Sequence, residues 1–205
     1  MNASPVVFLA TLLLAPPVLA ASTTDFTVKG TITPNACDPM LSGGGVVDYG
    51  KMTAKALIPD APTSLPPQVM QLEIQCDSPT FLALNTIDNR AGSSAISPRA
   101  HGLGMTPNDE KLGSVNFGLY NAVADGNVVR TITSQDGGAT WQPSVMLSHY
   151  VMTAIGRADF SLTPIAVTRF TADLRLYTMI DGTDRLTVLD EVPMDGHVTV
   201  QMTYL

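Results

Sequence analysis

Alternation of apolar and polar residues predicts β-strands along most of this chain. The first alternating stretch covers residues 26–33 and ends at Pro34, and a second covers residues 70–76. A period of two residues places one side of each segment against a core and the other in solvent. The apolar faces of the two predicted strands are formed by Phe26, Val28, Gly30 and Ile32, and by Met70, Leu72, Ile74 and Cys76.

Further strand-like stretches follow at close spacing, and no window of eleven or more residues combines helical spacing with helix caps. A turn at Asp125-Gly126-Asn127 separates two of them, as expected for a hairpin. Many short strands in one domain predict an all-β fold, specifically a β-sandwich. The later stretches are residues 81–87, 115–119, 128–133, 170–176 and 197–205.

The first twenty residues have the features of a secretory signal peptide. Residues 6–15 form an apolar run that is too short to span a membrane. Pro16-Pro17 and then Val18-Leu19-Ala20 supply a cleavage site of small residues. We therefore expect residues 1–20 to be removed, residues 21–205 to form the sandwich domain, and the product to be exported.

The amino-acid composition argues against two classes of protein, disordered chains and nucleic-acid binders. Charged residues make up 14% of the 205 residues, hydrophobic residues make up 45%, and the formal net charge is −7. Globular domains carry about 25% charged residues, so this chain has the composition of a core-forming protein and not of a disordered one. The negative charge argues against a nucleic-acid partner.

The chain contains two cysteines, Cys37 and Cys76, and three histidines. In an exported protein two cysteines most simply form one disulfide. His101, His149 and His197 do not stand at metal-ligand spacing from one another or from a cysteine. The sequence therefore predicts no metal site, no cofactor and no catalytic residue.

The last predicted strand has two interpretations. Its alternation places Val198, Val200, Met202 and Tyr204 on one face, and the sequence ends one residue after the tyrosine. It is either an ordinary last strand in a complete sandwich or the border of an open groove. In the second case an extended segment from another chain would complete the sheet by β-augmentation.

Several of these features together resemble the chaperone–usher pilins. Gly30 lies seven residues before Cys37, Cys76 closes the next long strand, and Tyr204 is penultimate. The resemblance extends over essentially the whole chain after residue 20, with its specific motifs at the two ends. The middle resembles the fimbrial-like proteins of otherwise unknown function more than the major pilins. The resemblance implies an immunoglobulin-like sandwich that lacks its last strand, with the Cys37–Cys76 disulfide of the pilins.

The resemblance also implies partners and a location. A periplasmic chaperone would pair with the strand that carries Val198, Val200, Met202 and Tyr204. An outer-membrane usher would assemble the subunit with neighbouring pilus subunits, so the protein would pass through the periplasm to a fimbrium at the cell surface. A host glycan or surface is a further candidate partner. Phe26 and Val28 form the candidate donor segment, although only about nine residues separate the predicted cleavage site from Gly30.

A second motif, Ser134-Gln135-Asp136-Gly137-Gly138-Ala139-Thr140-Trp141, matches the S-x-D-x-G-x-T-W Asp-box of sialidases and other glycan-active proteins. We interpret it as a structural hairpin in which Asp136 accepts hydrogen bonds from turn amides and Trp141 packs back. The resemblance does not extend to catalysis, because sialidases repeat the box around a propeller that this chain is too short to build.

Two hypotheses follow for the function. The first is a fimbrial subunit or fimbrial-like adhesin that is assembled by donor-strand exchange and has no enzymatic activity. The second is a stand-alone periplasmic or surface module that binds glycans through loops near Trp141. The first predicts an incomplete sandwich that needs a partner, and the second predicts a complete sandwich that folds unaided.

Overall fold

The computed structural model describes residue 27, residues 37–159 and residues 161–205. Residues 34–205 form one compact unit by their contacts. The predicted signal peptide, residues 1–20, lies outside the described residues, as do Phe26 and Val28 of the candidate donor segment.

Strands dominate the described part of the chain, which contains no α-helix and no helix long and apolar enough to cross a membrane. Three short 3₁₀ segments cover Ser42–Gly45, Ala54–Ala56 and Thr183–Arg185. The twelve described strands are β1 (Cys37–Leu41), β2 (Thr63–Ser64), β3 (Gln68–Thr80), β4 (Leu82–Asp88), β5 (His101–Gly102), β6 (Gly113–Ala124), β7 (Asn127–Ser134), β8 (Gln142–Pro143), β9 (Met146–Leu147), β10 (Met152–Arg157), β11 (Val167–Ile180) and β12 (Val198–Tyr204).

The strands form two antiparallel layers that are joined through β7. Along the hydrogen-bonded path the order is β1-β3-β11-β6-β7-β10-β4-β12. The start of β7 pairs with the end of β6 around a two-residue turn, and the rest of β7 pairs with β10 in the other layer. This arrangement confirms the predicted all-β sandwich and the hairpin at Asp125-Gly126.

The core lies between the two layers and is formed by the inward faces of the long strands. In β3 and β11 alternate residues are buried along most of the length. Phe170, Leu72 and Ile74 have no exposed surface. Burying a side chain of this size stabilises the fold by roughly 1.5–3 kcal/mol. The predicted inward faces of residues 70–76 and 170–176 are therefore correct.

The strand β1 was not expected from the sequence, which predicted the first strand to end at Pro34. Cys37–Leu41 pairs with β3 in the register Cys37↔Cys76 and Leu41↔Leu72. The sequence hides this strand because Pro39 interrupts it, and proline is tolerated in a strand only at an edge or a bulge. Here β1 is the first strand of the path, and its cysteine forms the predicted disulfide with Cys76.

The two ends of the path are the edge strands β1 and β12. β1 pairs with β3 and β12 pairs with β4, and neither has a second neighbouring strand within the described residues. They meet at one end of the molecule, where the backbone N–H of Cys37 donates a hydrogen bond of 3.2 Å to the Tyr204 hydroxyl. The sandwich is therefore nearly closed and has one open seam.

Candidate functional site: the groove between the edge strands

A cleft of about 160 Å³ lies along this seam. Leu41 of β1 and Val47 after it stand on one side, and Val198 and Val200 of β12 stand on the other. We call this cleft the edge groove. It lies where the two layers separate between β1 and β12, so residues from both sheets contribute to it.

The floor of the edge groove consists of core residues. Met70 of β3, Val115 of β6 and Leu174 of β11 are among the residues that line it. All three are buried, with 8% or less of their surface exposed. No charged side chain lines the groove within the described residues. A polar or charged segment would lose its hydration there without compensation, so the groove suits apolar side chains.

The strand β12 presents the alternation that the sequence predicts. Val198, Val200 and Met202 are partly buried, whereas Thr199 and Gln201 are exposed. Val200 and Met202 pack against the main core cluster. Tyr204 is 44% exposed, and its hydroxyl binds the Cys37 amide. The four predicted interface residues therefore lie along one face, and two of them, Val198 and Val200, line the edge groove.

The segment after β1 contributes residues that sequence reasoning did not identify. Val47 and Tyr49 line the edge groove together with Met194, from the segment before β12. The Tyr49 hydroxyl donates a hydrogen bond of 2.9 Å to Oγ1 of Thr178. This bond ties the segment to β11. In the sequence, Val47 and Tyr49 alternate with the polar Asp48, which indicates that both face the same way. This alternation does not show which strand they face.

The groove has the features needed to receive an extended strand. On one side, β12 has no described neighbour opposite β4, so its outer backbone groups are available for pairing. The apolar floor lies alongside that edge and would receive alternate side chains of an inserted segment. Backbone pairing would give affinity, and side-chain fit would give specificity.

The Asp-box lies in the hairpin between β7 and β8, away from the edge groove. The Ser134 hydroxyl donates to Asp136 Oδ1 at 2.7 Å and accepts the Gly138 amide at 2.8 Å. The Thr140 amide and hydroxyl both donate to the Asp136 carboxylate. The Thr140 side chain, followed by that of Ser134, lowers the pKa of Asp136 from 3.8 to about 2.

Trp141 and the two glycines complete this hairpin. Gly137 and Gly138 have φ values of 72° and 93°, in the left-handed region that favours glycine. Trp141 is partly buried and packs against a small cluster that contains Ile132 and Ala154. Its contacts are those of a hairpin clamp.

A histidine pair, in which His101 is buried and His149 is partly buried, is a feature that the sequence did not suggest. Nε2 of His101 lies 3.3 Å from Nδ1 of His149 and 2.7 Å from Oγ1 of Thr86. Burial lowers the pKa of His101 most, and the electrostatic interaction with His149 lowers it further; Asp88 and the Val115 backbone act in the opposite direction. The two histidines are 48 residues apart, so no spacing rule could have paired them. No group of three or more metal-ligating side chains occurs among residues 37–159 and 161–205.

Comparisons with known proteins place the chain near proteins whose names state no function. Residues 26–98 match a family described as "Protein of unknown function (DUF1120)". The chain is 27% identical over 224 aligned positions to Protein GltF of Escherichia coli K12, covering 89% of this chain and 88% of that protein. It is 28% identical over 172 positions to the uncharacterized protein YhcF of the same organism, covering 72% of this chain and 69% of that protein.

Proposed function

We propose that this protein is an exported fimbrial-like subunit that is assembled by donor-strand exchange. A periplasmic chaperone would insert a strand beside β12, and an outer-membrane usher would replace that strand with one from another subunit. The observation that carries the proposal is the edge groove, which is apolar and open between β1 and β12. The subunit would act by strand exchange and would catalyse no reaction.

The composition of the groove supports this function over a small-molecule site. Most of its lining is apolar, and no charged side chain of the described residues lines it. Its polar side chains are bonded within the protein, Tyr49 to Thr178 and Thr86 to His101. A pocket for a small polar ligand needs a few convergent polar groups to orient it. In addition, the groove is flanked by a strand edge, which a small molecule would leave without hydrogen-bond partners.

The proposal predicts that a charge inside the groove prevents chaperone capture. We expect Val200→Glu to abolish co-purification with a co-expressed periplasmic pilus chaperone, because burying a carboxylate in this apolar site is unfavourable. Export should be unaffected, and mass spectrometry of the periplasmic fraction would verify removal of the signal peptide. Gln201→Glu is the matched control, because Gln201 is exposed on the opposite face of β12.

Two results would contradict this prediction. The first is normal chaperone capture of Val200→Glu. The second is an equal loss of chaperone capture in Val200→Glu and Gln201→Glu, which would place the chaperone contact elsewhere on the strand. A milder variant, Val200→Thr, keeps the side-chain shape and tests the same contact if Val200→Glu fails to accumulate.

A further inference from the structure

A second cleft, of about 460 Å³, lies on the outer face of the sheet that contains β6 and β11. Tyr120 of β6, Tyr177 of β11 and Tyr150 of the turn after β9 line it. We call it the tyrosine cleft. Tyr150 and Tyr177 are each 37% exposed, so both aromatic side chains present surface to solvent.

The local geometry holds the Tyr120 ring in place. The Tyr177 hydroxyl donates a hydrogen bond of 3.0 Å to the Tyr120 hydroxyl, whose own proton is then available to a ligand. The ring lies over the backbone of Gly118, where a Cβ would come within 2.8 Å of it. A larger residue at this position would therefore displace the Tyr120 ring.

Arg99 lines the cleft and gives it a positive charge, and Arg175 lies beside it against the Tyr120 ring. The Arg175 guanidinium lies 4.4 Å from the centroid of Tyr120, and that of Arg99 lies 5.8 Å from the centroid of Tyr150. Neither arginine forms an ion pair within the described residues. Nε of Arg175 is buried and has no hydrogen-bond acceptor there.

The absence of acidic residues makes this charge notable. No aspartate or glutamate of the described residues lines the cleft, although the chain carries a net charge of −7. The carboxylate of Asp173, on the same face of β11, accepts a hydrogen bond of 2.6 Å from Asn121. An anionic ligand would therefore meet the Arg99 guanidinium and no lining carboxylate.

We infer that the tyrosine cleft binds a carboxylated pyranose, a uronic acid or a sialic acid. The apolar C–H face of a pyranose would pack on the exposed tyrosine rings. The amides of Asn116 and Gln135, which also line the cleft, would bind hydroxyl groups. Arg99 would bind the carboxylate, because a guanidinium and a carboxylate form paired, charge-assisted hydrogen bonds. The volume suits a mono- or disaccharide. This inference goes beyond the assembly role and does not depend on it.

The test is isothermal titration calorimetry of the purified, disulfide-bonded chain with three sugars. 3′-Sialyllactose and digalacturonic acid distinguish the two sources of the carboxylate, and lactose is the neutral control. We expect at least one acidic sugar to bind about tenfold or more tightly than lactose. Arg99→Gln should weaken that binding about tenfold, as expected for loss of a charge-assisted contact.

The controls keep structural effects separate from loss of binding. Arg157→Gln removes an exposed arginine at the end of β10, outside the cleft, and should bind like the unchanged protein. Tyr177→Phe keeps the ring but removes the donor to Tyr120, and should weaken binding less than Arg99→Gln does. Circular dichroism would verify that each variant is folded.

Three results would overturn the inference. They are no binding of either acidic sugar at millimolar concentration, equal binding of lactose, and unchanged binding by Arg99→Gln. Binding of a hexaglutamate peptide as tightly as the acidic sugars would also overturn it, because the cleft would then recognise negative charge on a peptide and not a sugar ring.

Discussion

His101 shows how burial sets the charge of a residue in this molecule. Its ring is 1% exposed and packs edge-on against Phe117 at 5.0 Å between centroids. Thr86, one of its hydrogen-bond partners, lines the edge groove. Burial and His149 lower its pKa from the usual 6.5, which favours the neutral form of the ring.

This environment predicts a loss of stability on acidification. Below pH 6.5 the unfolded chain binds a proton at His101 more readily than the folded chain does, so the free energy of unfolding falls as the pH drops. Urea unfolding at pH 7.5 and 5.5 would measure the fall. We expect His101→Gln to reduce it, and His197→Gln, at an exposed position, to leave it unchanged.

A direct readout accompanies the unfolding measurement. Titration of the His101 ring protons by nuclear magnetic resonance should give a pKa below 6.5. A value above 6.5 would contradict the account whatever the variants do, because it would mean that Asp88 and the Val115 backbone outweigh burial and His149.

Asp136 provides a second prediction at this scale. Asp136→Asn replaces the carboxylate that accepts hydrogen bonds from Ser134 and Thr140 with a neutral amide. Because these bonds would be weaker, we expect a lower thermal unfolding midpoint and faster amide exchange at Thr140. Its lowered pKa means that the carboxylate contributes stability above pH 3.8, which is lost as the pH falls through about 2. Asp190→Asn is the control, since the described structure shows no hydrogen bond to that carboxylate. Equal midpoints and exchange rates in the two variants would show that the box does not stabilise the hairpin.

Individual residues were predictable from the sequence where their partners are local. Ser134, Asp136 and Thr140 lie within seven residues, so their hydrogen bonds follow from turn chemistry alone. The His101–His149 pair and the tyrosine cleft depend on strand pairing, which brings distant segments together. No local pattern encodes such contacts.

At the scale of elements, the disulfide joins β1 to the strand that holds it in the sandwich. Cys37 and Cys76 are 39 residues apart in sequence and directly opposite in the β1–β3 register. β1 is only five residues long, and β3 is its one described neighbouring strand. The cross-link therefore holds one wall of the edge groove in place.

Loss of this cross-link should destabilise the fold. In the chain-entropy model, closing a loop of this length stabilises by roughly 4 kcal/mol. We expect the double variant Cys37→Ser/Cys76→Ser to lose about 2–4 kcal/mol in urea unfolding. Dithiothreitol should produce the same loss in the unchanged protein and none in the double variant. An unfolding midpoint that matches that of the oxidised protein would contradict the role assigned to the disulfide.

Most long strands were predictable because their alternation has a period of two and they face one core. The inward faces of β3, β11 and β12 follow this rule. β1 was missed because Pro39 and its short length leave no clear alternation. An edge strand tolerates such residues, and for the same reason it is poorly marked in a sequence.

At the scale of the whole molecule, the open seam follows from the order of the strands. The path begins at β1 and ends at β12, and these strands meet at the Cys37–Tyr204 hydrogen bond and then border the edge groove. The sequence predicted the apolar face of β12. It could not show that β1 forms the opposite wall, because that depends on how the two layers are joined through β7.

The central claim is that the edge groove accepts an inserted strand, and one measurement tests it most directly. The thermal unfolding midpoint of the disulfide-bonded chain without residues 1–20 would be recorded alone and with a synthetic peptide. The peptide carries residues 22–33 of this chain, which alternate Phe26, Val28, Gly30 and Ile32 with polar residues. The control peptide has aspartate at the Phe26, Val28 and Ile32 positions.

The account predicts a low midpoint for the chain alone, a clear rise with the alternating peptide and no rise with the control, because binding to the native state raises its stability. Val200→Glu should abolish the rise, since its carboxylate would lie in the groove. A high, sharp midpoint that neither peptide changes would contradict the account and would mean that the sandwich closes without a partner.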